Sequence, residues 1–153
     1  MSTSKPNPPD RLAVLLGETG YVSWDVGNGC RGFAFPGRAR EWFLVARLTP
    51  EWCYLWTYVC DVPTEAGLRA RLLSHAMEEN GIVTGVKFSV NNETRLVLEI
   101  EYRTEHVDAP LMGQLTRYLQ ATAERMYPKV FRIVSGDDAL AALETTLAQQ
   151  DAM

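Results

Sequence analysis

The sequence predicts an α+β domain built on an antiparallel sheet of five to six strands, and three observations carry that expectation. Residues Thr64 to Pro128 read as a helix, a two-stranded hairpin and a second helix. From Tyr21 to Cys60 apolar residues alternate with period two, the mark of half-buried strands. Short clusters at Gly27-Asn28-Gly29, Pro36-Gly37 and Thr49-Pro50-Glu51 punctuate that region as turns. A chain of 153 residues with 46% hydrophobic content is long enough for one core, so one domain is expected.

Element by element, Asp10 precedes Arg11 to Leu16 and Gly17 follows, giving a short helix with Leu12, Leu15 and Leu16 on one face. Val22, Trp24 and Val26 alternate with Tyr21, Ser23 and Asp25, and Arg31 to Phe35 is the return strand. Trp42 to Leu48 forms a third strand, apolar on both faces at its start. In the fourth, Trp52, Tyr54, Trp56 and Tyr58 share one face, and Cys53, Leu55, Thr57 and Val59 share the other. At least one face must be covered, and aromatic rows commonly pack against a helix.

Thr64 is expected to cap the next helix, striped by Leu68, Leu72 and Ala76 with Leu73 and Met77, and Asn80-Gly81 should stop it. Gly85 to Val90 puts Val86, Phe88 and Val90 inward. After the turn Asn91 to Thr94, the return strand sends Leu96, Leu98, Ile100 and Tyr102 inward and Val97, Glu99, Glu101 and Arg103 outward. Asp108 is a good N-cap for a long helix through Leu111, Leu115, Tyr118, Leu119, Thr122 and Met126. Pro128 should break or kink it. A last helix follows Ser135-Gly136, with Leu140, Leu143 and Leu147 in line. The division expected is a disordered tail over 1–9, a folded domain over 10–134 and a C-terminal helix over 135–153.

Leu72 to Pro128 resembles the YbjN family, also described as type III secretion chaperone-like. The matching features are a helix ending in Asn80, the strand Gly85-Val86-Lys87-Phe88-Ser89-Val90, a short polar turn, an apolar return strand and a long helix closing on Tyr127-Pro128. The element order from Asp10 to Val134 also agrees: helix, three or four strands, helix, two strands, helix. The resemblance implies helices covering a curved antiparallel sheet, a dimeric state, and binding rather than catalysis. It supplies no catalytic residues, and no cofactor or metal is expected.

Chemistry read from the residues agrees. His75 and His106 have no companion ligands in sequence, so a metal site is not expected. Cys30, Cys53 and Cys60 are odd in number, lack CxxC spacing and read as reduced thiols, which suits the cytoplasm. No orienting third residue marks a Cys-His nucleophile. Glu99 and Glu101 stand about 7 Å apart on one strand face, compatible with paired-carboxylate chemistry, yet with Arg103 beside them they look like a solvated edge. The glycines at 27, 29 and 32 precede a strand instead of opening a helix, so phosphate binding is unsupported. A net charge of −4 without a basic stripe argues against nucleic acid. The nine-residue apolar run Trp52 to Cys60 is far short of the roughly 20 residues of a membrane helix.

The expected function is therefore a non-catalytic module, chaperone-like or regulatory, that recognises another polypeptide, an unfolded segment or a folded partner. The alternative is a small enzyme or ligand-binding protein with a pocket between sheet and helices. Partner-binding residues are placed at Trp52, Tyr54, Trp56 and Tyr58, with Phe33 and Phe35 as neighbours. A homodimer is expected, because Trp42 to Leu48, the aromatic row and the Leu140, Leu143, Leu147 stripe offer more apolar face than one small sheet needs.

Overall fold

The first three helices each start where a carboxylate accepts free N–H groups, whereas the last begins after Gly136 with no side-chain cap. In the computed structural model, which describes residues 10–152 and only the backbone over 137–141, Asp10 Oδ1 accepts from Leu12 N at 3.0 Å to start α1 (Arg11–Glu18). Asp108 does the same for α3 (Ala109–Ser135), accepting from Leu111 N at 2.9 Å. For α2 (Ala66–Ile82) the cap is Glu65 and not Thr64. Its longer side chain spans two donors, Gly67 N at 2.8 Å and Leu68 N at 2.7 Å, and these bonds lower its carboxyl pKa. The final helix, α4 (Asp137–Asp151), packs on α3, and Arg38 forms an ion pair with Asp151. The predicted tail at residues 1–9 lies outside the described residues.

The strands are β1 (Trp24–Gly27), β2 (Cys30–Pro36), β3 (Glu41–Leu48), β4 (Trp52–Asp61), β5 (Val86–Asn91) and β6 (Arg95–Arg103). They form one antiparallel sheet in the order β1-β2-β3-β4-β6-β5. The predicted α+β class and element order are those observed. The two-residue turn at Asn28-Gly29 has φ of 54° and 72°, the left-handed geometry that closes a tight hairpin. β1 begins three residues later than the alternation suggests. Tyr21 turns inward to stack on Phe33 at 5.0 Å and meet Phe35 edge-on at 4.8 Å, while Arg31 takes the Ser23 carbonyl and hydroxyl, so the backbone leaves the sheet.

Register assigns the faces. Phe33 pairs with Leu44 and Phe35 with Trp42; Leu44 pairs with Thr57, and Thr57 with Leu98. These residues share one face and are buried with Leu55, Val59 and Ile100. α1, α2 and α3 cover that face through Leu12, Leu15 and Leu16, through Leu72 and Ala76, and through Met112, Leu115, Leu119, Ala123, Met126 and Val130. Thr57, fully buried, is satisfied by donating to the Phe43 carbonyl at 2.8 Å. None of the helices over the described residues is long and apolar enough to cross a membrane.

α3 continues without a break through Pro128 to Ser135. The proline removes one backbone donor, but tertiary contacts hold the helix on both sides of it. Trp42, with no exposed surface, donates from Nε1 to Glu124 Oε1 at 2.6 Å and meets Tyr127 edge-on at 5.5 Å. Arg38 N donates to the same carboxylate at 3.1 Å, and Val130 beyond the proline is fully buried. Trp42→Ala is expected to cost about 3 to 5 kcal/mol, as loss of a buried aromatic does. Glu124→Ala should cost about 1 to 3 kcal/mol by orphaning the indole N–H. Urea denaturation of the two variants measures both losses.

Candidate functional site: the uncovered face of the sheet

The same register that sends Cys53, Leu55, Thr57 and Val59 under the helices turns Trp52, Tyr54, Trp56 and Tyr58 to the other side. No helix lies there over the described residues, and the four aromatics are half-buried by neighbouring strands alone. The row therefore faces away from the helices rather than toward one, because the opposite half of β4 is the more thoroughly apolar. Phe33 and Phe35 do not join it. They are on the covered face, 0% and 8% exposed, since their register partners Leu44 and Trp42 point to the core. Sequence parity within one strand could not reveal this; the offset between β2 and β4 is fixed only by pairing.

The true neighbours of the row come from β3 and β6. Val45 and Glu99 lie opposite Trp56, Arg47 and Glu101 opposite Tyr54, Arg103 opposite Trp52, and Val97 opposite Tyr58. Glu99 and Glu101 are thus not on a sheet edge, since β6 is an interior strand between β4 and β5, although Glu101 is exposed as a solvated residue would be and Glu99 is half-buried. Farther along the face Phe43 lies 5.5 Å from Trp24, and its ring fills the space over Gly32, where a Cβ would collide with it. Val26 completes that end. Trp24, Val26 and Phe43 are exposed.

Charges temper the ends of the aromatic row. The Arg103 guanidinium stands 5.0 Å from the Trp52 ring, and Arg95 and Arg40 stand 5.9 and 5.6 Å from Tyr58. Burial and the adjacent Asp61 carboxylate raise the Tyr58 pKa, keeping the phenol protonated. Between these ends the face has two hollows. One, of about 280 Å³, is lined by Tyr54, Trp56, Arg47 and Glu99. The other, of about 470 Å³, is lined by Trp52, Lys87, Glu99 and Glu101. Open, shallow and mixed in polarity, this surface offers stacking area and hydrogen-bonding groups, the chemistry of an interface.

The other sequence candidates lie elsewhere. His75 is on α2 beside a hollow it shares with Arg71, Ser74, Glu78 and Ile133, and its Nε2 is buried without a hydrogen-bond partner. His106 sits in a short 3-10 turn, 3.5 Å from Glu105. Among the described residues no three His, Cys, Asp or Glu side chains gather as a metal site would require. All three cysteines are free, and burial pushes the Cys53 and Cys60 thiols up to about 11. A thiol held protonated in this way is a poor nucleophile.

No protein-family profile and no curated protein matches the sequence. Solved structures do match. A chain of the heterodimeric ExoU-SpcU complex from the type III secretion system of Pseudomonas aeruginosa is 19% identical with a TM-score of 0.55, over 76% of this chain and 95% of that one. YbjN, described as a putative transcription regulator from E. coli, is 13% identical with a TM-score of 0.58, over 77% and 86%. A chain of the ExsC-ExsE complex is 18% identical with a TM-score of 0.54, over 77% and 90%. The fold is accordingly that of YbjN and the type III secretion chaperones, as the sequence resemblance implied.

Thiol burial predicts a pH profile. The ordinary thiol value is 9.0 and the folded value about 11 for both Cys53 and Cys60, so ionisation favours the unfolded chain. Their contribution to stability is complete below pH 9 and is lost as pH rises through 11. Chemical denaturation across that window should show the decline, and it should shrink in a Cys53→Ala, Cys60→Ala double variant. At pH 8 a thiol reagent should modify Cys60 more slowly than Cys30 and leave the buried Cys53 unmodified until the protein is unfolded.

Proposed function

We propose that this chain is a non-catalytic, chaperone-like module of the cytoplasm that binds another polypeptide on the uncovered face of its sheet. One observation carries the reading: α1, α2 and α3 bury their apolar side chains against the same side of the sheet, and the other side bears the row Trp52, Tyr54, Trp56 and Tyr58. Aromatic side chains give large contact area for little lost rotamer freedom, which is why they anchor interfaces. An extended segment lying on this face also reaches the outer edge of β1, where main-chain hydrogen bonds can add a strand. The fold supports a protein partner as well, since two of the similar structures are complexes of two different proteins. The reading of a small enzyme with a pocket between sheet and helices is less well supported, because the hollows beside the aromatic row open on the outer face.

The chain is also proposed to be a homodimer, because the exposed apolar residues at Trp24, Val26 and Phe43 extend the same face beyond what a short client would cover. Light scattering at tens of micromolar should return the mass of two chains; the mass of one chain would remove the dimer.

Binding is tested by co-expressing the products of neighbouring genes and measuring co-purification. Trp56→Ala and Tyr54→Ala should each weaken a captured partner about tenfold or more, roughly 1.4 kcal/mol. Because both rings are half-exposed, each change should cost well under the ~3 to 5 kcal/mol of a buried aromatic. Leu55→Ala, one residue away on the covered face, should show the reverse: a loss of about 2 to 5 kcal/mol in stability with affinity retained in the folded fraction. Unchanged affinity in both aromatic variants would refute the site.

A further inference from the structure

The two edges of the sheet are not alike. β5 pairs with β6 on one side and, among the described residues, has no strand on the other. Such an edge presents unpaired N–H and C=O groups that template pairing with another chain. At the centre of this edge, Phe88 N donates to Asn80 Oδ1 at 2.6 Å, and Asn80 Nδ2 donates to the Phe88 carbonyl at 2.9 Å. That is the pair of bonds which one residue of an added antiparallel strand would exchange with Phe88. A carboxamide can imitate it because one planar group supplies both donor and acceptor.

Both partners are fixed in place. Asn80 sits in the last turn of α2, whose Leu72 and Ala76 are locked in the core, and the Phe88 ring is 6% exposed on the covered face. Just before the strand, Tyr118 of α3 donates its hydroxyl to the Thr84 carbonyl at 2.7 Å, closing the approach to the edge from that end. Among the described residues, β1 at the opposite edge has a bond of this kind only within its own strand, Asp25 Oδ1 accepting from Gly27 N at 2.7 Å.

We propose that Asn80 is an edge guard: its carboxamide occupies the strand-pairing groups of Phe88, so that β5 does not pair with an extended polypeptide or with a second copy of this chain. The inference rests on the hydrogen bonds at β5 and not on the binding role of the aromatic face. Removing the guard exposes a latent strand-addition site, and the occupant to hand in a purified sample is another copy.

The test compares the parent chain, Asn80→Ala, and Asn80→Ala combined with Val90→Lys. Val90 is on the same edge strand and 39% exposed, so a lysine there supplies the charge by which edges commonly resist pairing. Circular dichroism establishes that each variant is folded. By light scattering over a concentration series, Asn80→Ala should reach at least twice the parent's mass, and the added lysine should restore the parent's mass. Hydrogen exchange at the Phe88 amide should accelerate about tenfold or more in the dilute double variant. A mass unchanged in folded Asn80→Ala overturns the proposal, as does a gain in mass that Val90→Lys fails to reverse. If Asn80→Ala does not fold, Asn80→Leu keeps the bulk of the side chain and removes both the donor and the acceptor, and an unchanged mass in that folded variant is equally decisive. No partner protein enters the assay, so its failure leaves the binding reading intact.

Discussion

Strand register is the constraint on which everything else depends. Side chains alternate across a strand, so a slip of one residue in β4 would carry Trp52, Tyr54, Trp56 and Tyr58 under the helices and turn Cys53, Leu55 and Val59 to solvent. Several contacts oppose that slip. The turn before β4 is closed by Thr49 N donating to the Trp52 carbonyl at 2.8 Å, with Trp52 N returning to Thr49 Oγ1 at 2.9 Å. Thr57 Oγ1 bonds the Phe43 carbonyl on the neighbouring strand, and Trp42 fills the core opposite Phe35. Hydrophobic burial chooses the face, and these polar contacts choose the register within it.

The helical layer is attached to that frame at one crowded corner. Glu124 of α3 receives both the Trp42 indole and the backbone N of Arg38, and Gly37 leaves the room for this, since a Cβ there would collide with the Glu124 carboxylate and the Arg40 carbonyl. Arg40 closes the corner from outside. Its guanidinium donates to the Val59 and Tyr58 carbonyls at 2.6 and 3.3 Å and stands 4.3 Å from the Trp42 ring and 5.5 Å from that of Tyr127. β3, the end of β4 and the Pro128 region of α3 are thereby one unit, which is why a mid-helix proline leaves the helix unbroken.

With one face committed to the helices, the other is left to solvent or to a partner. A soluble chain seldom leaves a large apolar surface open without a use for it. Here the row is partly shielded by arginines over its end rings, while Tyr54 and Trp56 between them border open hollows. The two main-chain edges differ as well: the Phe88 backbone groups of β5 are bonded by Asn80, whereas on β1 the side chain of Asp25 bonds Gly27 of its own strand.

Much of this was legible in the residues. Period-two alternation located the six strands and divided β4 into two faces, and Asp10 and Asp108 marked the starts of α1 and α3. Those features are local, set by side-chain alternation and by caps within a few residues. In β6 the division applies to Leu96, Leu98 and Ile100, while Tyr102, expected inward, is exposed and Val97, expected outward, is buried beside the aromatic row. What the sequence left open was everything that needs two distant elements at once. The division of β4 gave two faces without saying which was covered, and Phe33 and Phe35 were assigned to the wrong one because the offset of β2 from β4 passes through the pairing of β3. Glu99 and Glu101 looked peripheral until the order β4-β6-β5 placed their strand inside the sheet. Asn80 looked like a helix stop, and the Glu65 cap was overlooked for Thr64. Sequence by itself determined the elements and their amphipathic division; tertiary structure decided which face is buried and what guards the edge, because a hydrogen bond between Asn80 and Phe88 exists only once helix and strand have met.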